Sequence, residues 1–472
     1  MVFSSPIFLF LFLPIVLGVY LIIPKIFRNI FLLIASLSFY AWGEIDYFYI
    51  IIISIVFNYI FALLIDNKKL KKYTKPLLVM AIIGNLLMLV YFKYAMFILE
   101  TLGLSDSNIL HIQDVHLPIG ISFFTFQALS YVIDVYRKKN SAQKNPIKLG
   151  LFISMFPQLI AGPIVRYHDI NKQIDKRKID LDLFTSGVRR FISGLGKKVL
   201  IANIVGQSAD QIFALSSDIL NTPLAWIGII CYSLQIFFDF SGYSDMAIGL
   251  GRMFGFRLLE NFNYPYISKS IKEFWQRWHI SLSNWLKDYL YIPLGGNRGS
   301  TYQTYLNLLI VFLLCGLWHG AGWSFIVWGL WYGIFLILER GWIGLILNKA
   351  LAPVRHFYAL MIIIIGWVFF RAETLTKAIE YLKNMFNFSF EGMIAYPPRL
   401  YLDNEIILAL VIGFLISTPI IKKITEYCEQ KNDWMSHIVT PLISKIFYIG
   451  ILLLSIFSLA ADTYNPFIYF RF

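Results

Sequence analysis

The sequence predicts an all-α polytopic membrane protein, with about 11–13 membrane helices and re-entrant segments between them. Three observations carry this. Of 472 residues, 58% are hydrophobic and only 15% are charged, against roughly a quarter charged in a soluble domain. The deficit runs along the whole chain, whose mean hydropathy is +0.65. Basic residues also collect in alternate loops. Charge keeps a folded surface in water, so this composition excludes a soluble globular enzyme and a disordered or nucleic-acid-binding chain.

The elements follow from the apolar runs. A spanning helix needs about 20 mostly apolar residues, because lipid offers the backbone no hydrogen-bond partners. Such runs fall at 7–24, 29–43, 47–66, 76–99, 117–136, 199–216, 222–240, 303–319, 322–338, 356–370, 405–421 and 446–461. The segments 149–165, 243–256 and 270–295 are too short or too polar for simple spans and read as re-entrant pieces. The whole chain, 1–472, reads as one transmembrane domain with its core at 117–340 and an aromatic tail at 465–472. No basic residue precedes the first apolar run. A cleavable signal peptide normally carries one, so Met1 is expected to remain in the mature protein.

The charge balance of 41 Lys+Arg against 28 Asp+Glu gives +13, which in a membrane protein is first the bias of cytoplasmic loops toward Lys and Arg. One turn holds Lys25 and Arg28, and the next basic turn holds Lys68, Lys69, Lys71, Lys72 and Lys75. Two further basic turns hold Arg137, Lys138, Lys139, Lys144 and Lys148, then Arg189, Arg190, Lys197 and Lys198. The turns between carry Glu44 and Asp46, then Glu100, Asp106 and Asp114, then Asp210 and Asp218. This alternation puts both termini on the extracytoplasmic side of a multi-pass cytoplasmic (inner) membrane protein. Segment 149–165 is flanked by basic stretches and should enter and leave on the cytoplasmic face.

Polar residues within apolar surroundings are costly and mark function. The densest group runs from Asn261 to Arg298 and mixes Lys269, Lys272, Glu273, Arg277, His279, Lys287, Asp288 and Arg298 with Trp275, Trp278 and Trp285. It reads either as an interfacial amphipathic helix among lipid headgroups or as a buried re-entrant site bent at Pro293–Gly296. The second group is CGLWHGAG, Cys315–Gly322, with His319 at the end of a long apolar run. That histidine reads either as a hydrogen bond between close-packed helices or as a neutral base in a dry site. Asp239 and Asp245, in DFSGYSD, are expected to pair with basic residues. His111, His116, His168, His356 and His437 read as ordinary interfacial histidines. Cys231, Cys315 and Cys428 are far apart and form neither a disulfide framework nor a metal site. No zinc, Walker or serine-hydrolase motif occurs, so no metal and no bound cofactor are expected. No internal repeat of the transporter kind is present either.

Several stretches together are specific. They are SFYAWGE at 38–44, LPIGISFFTFQALSYVIDVYR at 117–137, FPQLIAGPIVR at 156–166, QIFFDFSGYSDMAIGLGRMFGF at 235–256, FWQRWHISLSNWLKDYLYIPLGGNR at 274–298 and GLWHGAGWSFIVWGL at 316–330. On these the chain resembles the membrane-bound O-acyltransferase family, in the bacterial branch that O-acetylates alginate and peptidoglycan. The resemblance implies a ring of helices around a central tunnel, with His319 as catalytic histidine and His279 as its second active-site histidine. Trp278, Trp318, Asp239 and Asp245 would then support the tunnel.

A cytoplasmic thioester, acetyl-CoA, would dock against Lys269, Lys272, Arg277, Lys287 and Arg298. His319 would act as general base or transient acyl acceptor, and His279 would position the carbonyl or stabilise the oxyanion. The acetyl group would reach a cell-envelope polysaccharide, peptidoglycan first and alginate or another exopolysaccharide as the alternative, through an extracytoplasmic O-acetyltransferase partner. Tyr469, in the tail NPFIYFRF, is either part of an interfacial aromatic anchor or the carrier of the acetyl ester. A reading from another class is a transporter of an acyl carrier without chemistry of its own, which donor hydrolysis by purified protein would exclude.

Overall fold

The computed structural model describes residues 1–104, 116–390, 394–431, 440–461, 464–466 and 468. Among these residues the structure is helical throughout, with turns and no strand. Seven helices are long and apolar enough to cross a membrane, or nine if two sharply bent pairs each count as one span. The bent pairs are Trp323–Arg340 with Trp342–Lys349, at 68°, and Asn404–Ile416 with Ile420–Tyr427, at 62°. Phe8–Ile22 and Ile121–Tyr136 are apolar but shorter. The count is lower than the apolar runs suggest because a run can be divided among short helices.

Two of the expected segments, 222–240 and 243–256, are one helix, Thr222–Met253, of 32 residues. Ser241 and Gly242 look like a break in sequence, yet they serve close packing. A Cβ on Gly242 would stand 2.7 Å from the Gly194 carbonyl oxygen. Small residues let two helix backbones approach, which apolar lipid cannot otherwise drive. The expected span 199–216 is instead a π-helical turn, Lys197–Asn203, continued by the α-helix Ile204–Phe213. The re-entrant piece 149–165 holds two short helices, Pro146–Ser154 and Phe156–Leu159.

The chain forms two compact units. The first holds Met1–Phe191, Met246–Leu259 and Lys287–Tyr289. Its apolar core includes the rings of Phe3, Phe8, Phe12, Phe39 and Phe156, with tilted and edge-on contacts. Several polar groups buried in it are partnered. Asn58 and Asn85 exchange amide hydrogen bonds of 3.0 and 2.8 Å across two helices. Asp134, fully buried, lies 2.6 Å from His168 Nδ1. Arg166 links Asp169, at 2.9 Å, to Asp288, at 2.5 Å.

The second unit holds Ile192–Asp245, Glu260–Leu286 and the chain from Leu290 onward. Its centre is a helical hairpin, Thr301–His319 and Trp323–Arg340, joined by Gly320–Gly322. The two helices touch where Gly316 faces Gly329. A methyl on Gly316 would collide with the Phe325 carbonyl oxygen, and one on Gly329 with that of Phe312. Gly316→Ala or Gly329→Ala should therefore cost about 1–3 kcal/mol, measured as a lower thermal midpoint of the detergent-solubilised protein. Gly450→Ala meets nothing within 4 Å and should not lower it. Equal behaviour of all three would mean that the hairpin does not depend on this crossing.

Candidate active site

The polar segment of the second unit folds as two short helices, Ile271–Arg277 and Ile280–Leu286. Ser270 caps the first by accepting the Glu273 amide at 3.0 Å. Glu339, from the hairpin, accepts the amides of Ile271 at 2.5 Å and Lys272 at 2.9 Å. A carboxylate there meets the orphan N–H groups of a helix start.

Between the two helices stands His279, whose φ is +44°. A left-handed backbone in a non-glycine residue is costly, and it persists where surrounding structure enforces it. The surroundings here are Asn261 and aromatic rings. Asn261 Oδ1 accepts from the Ser281 backbone N–H at 3.2 Å and from the Ser281 hydroxyl at 2.9 Å. The same oxygen lies 3.1 Å from His279 Nδ1.

Those contacts fix the chemistry of the ring. Because Oδ1 already faces a backbone donor, it is the amide oxygen, and Nδ1 must carry the proton. His279 is fully buried, and desolvation pushes its pKa down to about 3. The imidazole is thus neutral, with its proton on Nδ1 and a lone pair on Nε2. Nε2 is buried without a hydrogen-bond partner among the described residues. This ring does not suit the expected oxyanion role, since its one N–H is spent on Asn261. Its open nitrogen accepts.

His319 ends the helix Thr301–His319 and is 3% exposed. Its ring lies 4.8 Å from that of Trp318, 4.9 Å from Trp328 and 5.3 Å from Phe370. Trp318 is also 6.1 Å from His279, which Phe240 meets edge-on at 4.6 Å. The two histidines, forty positions apart in sequence, therefore share one indole as neighbour. Trp278 is buried nearby between Phe274, Phe262 and Trp367.

Residues 72–376 match the model of MBOAT, the membrane-bound O-acyltransferase family. The chain belongs to this family. It is similar to the probable alginate O-acetylase AlgI of Azotobacter vinelandii, 42% identical over the full length of both chains. It is 39% identical to the peptidoglycan O-acetyltransferase of Helicobacter pylori, covering 82% of this chain and 80% of that one. The teichoic acid D-alanyltransferase of Bacillus subtilis is 31% identical over 48% of this chain and 61% of its own. The protein is a multi-pass membrane-bound O-acyltransferase and uses an acyl donor.

Lys269, Lys272 and Arg298 are exposed in the second unit, and Lys287 is exposed in the first. Arg277 is engaged locally by Glu273 at 2.9 Å and by the Asn263 carbonyl at 3.0 Å. Asp239 pairs with Lys198 and Asp245 with Lys197, each at 2.6 Å. Tyr469 lies outside the described residues. His116, His168 and His356 meet Glu44, Asp134 and the Ser268 carbonyl.

The sequence did not assign roles to Asn261, Trp328 or Phe370, and it counted Lys197 and Lys198 in a basic loop, whereas both lie in the π-helical turn Lys197–Asn203, paired with Asp245 and Asp239. Asn261 opens the polar segment, but its link to a histidine 18 positions later follows no helical period. Asn261→Asp would set a carboxylate against Nδ1–H and raise the His279 pKa. The acid limb of the activity–pH profile should then move to higher pH. Asn261→Ala should lower kcat on the order of 10–100-fold, as loss of a group that orients an imidazole does. An unmoved profile together with full activity would remove Asn261 from the site.

Proposed function

We propose that this enzyme O-acetylates a cell-envelope polysaccharide with acetyl taken from a cytoplasmic thioester, acetyl-CoA. The observation that carries the reading is the pair of enclosed histidines flanking Trp318. Enclosure keeps the His279 imidazole neutral. It also keeps water from hydrolysing the donor.

In this reading the thioester's carbonyl carbon meets an incoming hydroxyl beside His319. The C–O bond forms as the C–S bond breaks. His319 takes the hydroxyl proton and returns it to the departing thiolate. His279 Nε2, an open acceptor, would orient the incoming hydroxyl before its proton passes to His319. The indole N–H of Trp328, buried without a hydrogen-bond partner among the described residues, is the donor we assign to the oxyanion. Lys269, Lys272, Arg277 and Arg298 would meet the donor's phosphates on the cytoplasmic side.

The basic loops at Lys25–Arg28, Lys68–Lys75 and Arg137–Lys148 support an inner-membrane enzyme with both termini extracytoplasmic, whereas Lys197 and Lys198, expected in a fourth such loop, are ion-paired in the turn Lys197–Asn203. On that side Tyr469 would receive the acetyl as an ester and hand it to a separate O-acetyltransferase. Peptidoglycan is the acceptor we propose. A second reading, alginate or a related exopolysaccharide, is favoured by similarity to alginate O-acetylases across the whole chain.

His319→Ala should insert normally and lose acetyl transfer by about 10²–10⁴-fold or more, measured with radiolabelled acetyl-CoA in membrane vesicles. Activity at the parent level would overturn the assignment. Analysis of O-acetyl groups in isolated peptidoglycan and in exopolysaccharide from a deletion strain separates the two acceptors. Mass spectrometry of the C-terminal peptide, with donor present and acceptor absent, tests Tyr469. An active preparation without added acetyl there rejects the carrier role.

A further inference from the structure

The second unit also buries an ion pair. Lys198 Nζ lies 2.6 Å from Asp239 Oδ1, with side chains 3% and 1% exposed. Two charges removed from water are costly unless their remaining hydrogen-bonding capacity is met. An ammonium has three donors and a carboxylate two oxygens, so the mutual contact leaves both partly unsatisfied. The chain's own C-terminal segment supplies the rest. Lys198 Nζ donates to the Pro466 carbonyl. Asp239 Oδ2 accepts the Ile468 backbone N–H at 2.8 Å. Pro466 has no N–H, so its approach leaves no further backbone donor to satisfy.

The same helix continues the grip. Asn203 Nδ2 donates to the Tyr464 carbonyl at 3.2 Å and to Asn465 Oδ1 at 3.3 Å. The Tyr464 hydroxyl donates to Asp210 Oδ2 at 2.7 Å, while Arg371 holds Asp210 Oδ1 at 2.6 Å. Gly206 makes the room. A Cβ there would stand 3.1 Å from the Tyr464 hydroxyl and 2.5 Å from Gln235 Nε2. Lys198 lies in the π-helical turn Lys197–Asn203, a local widening that recurs at functional sites.

We propose that Lys198, Asp239, Asn203 and Asp210 form a docking site for peptide backbone, occupied by residues 464–466 and 468, and that they are positioning residues for the tail ahead of Tyr469. The recognised chemistry is a carbonyl and an amide two residues apart, read by an ammonium and a carboxylate. Side-chain identity matters little there, except for the Tyr464 hydroxyl and the Asn465 amide. The docking is independent of whether Tyr469 carries acetyl, and its bearing on acetyl transfer rests on that reading.

Reversing the pair distinguishes docking from a merely structural ion pair. In Lys198→Asp/Asp239→Lys the mutual attraction survives, but an ammonium now faces the Ile468 N–H and a carboxylate faces the Pro466 carbonyl. The readout is maleimide labelling of full-length protein carrying Ile468→Cys with Cys428→Ser, in detergent, beside its thermal midpoint. With the native pair the thiol at 468 should label slowly. With the reversed pair it should label about tenfold faster or more, the loss of two charge-assisted bonds to the tail. Equally slow labelling in the reversed variant, or fast labelling with the native pair, overturns the proposal.

Should the reversed pair fail to fold, Asn203→Ala/Tyr464→Phe removes tail bonds without touching the charges. It should speed labelling several-fold, and an unchanged rate counts against docking. Tyr469→Phe separates the two ideas. Acetyl transfer at the parent rate in that variant would end the carrier reading, while labelling at 468 continues to report docking alone.

Discussion

Exclusion of water from two imidazoles is the constraint on which this site depends. A protonated imidazole needs solvent or a counter-charge, and the rings around His279 and His319 offer neither bulk water nor a described carboxylate partner to His279. Burial therefore keeps His279 neutral, and Asn261 decides where its one proton sits. A neutral ring with a committed donor and an open acceptor differs chemically from a cationic one. It can receive a proton but cannot hold a developing negative charge.

The backbone is arranged to make the enclosure possible. His279 occupies a left-handed position between two short helices, one of them capped by Ser270 and Glu339. His319 ends a helix whose partner approaches closely through Gly316 and Gly329. Larger residues at that crossing would separate the helices and loosen the contact of Trp328 with the His319 ring. Packing of small residues far from any charge thus sets the dryness of the site.

Three carboxylates elsewhere in the second unit are also partnered. Asp239, Asp245 and Asp210 each meet a lysine or arginine. The Lys198–Asp239 pair goes further, because its spare capacity is met by tail backbone. Membership in an acyltransferase family, with two enclosed histidines, argues for chemistry rather than passive carriage of an acylated molecule.

Much of this was legible in sequence. Composition alone requires a membrane protein, because too few charges exist to hydrate such a surface, and the WHG and RWH stretches mark both histidines. DFSGYSD likewise marks carboxylates in need of partners. The number of spans was not legible, since hydropathy does not say whether Ser241–Gly242 interrupts a helix or packs it, and the structure makes Thr222–Met253 continuous. Nor was Asn261 as the partner of His279, or Lys198 as the partner of Asp239 and Pro466. Those pairings join positions separated by 18, 41 and 268 residues. Local periodicity carries no information at such distances. Residue type settled which groups could act, and tertiary contact alone decided which nitrogen carries a proton and which charge holds the tail.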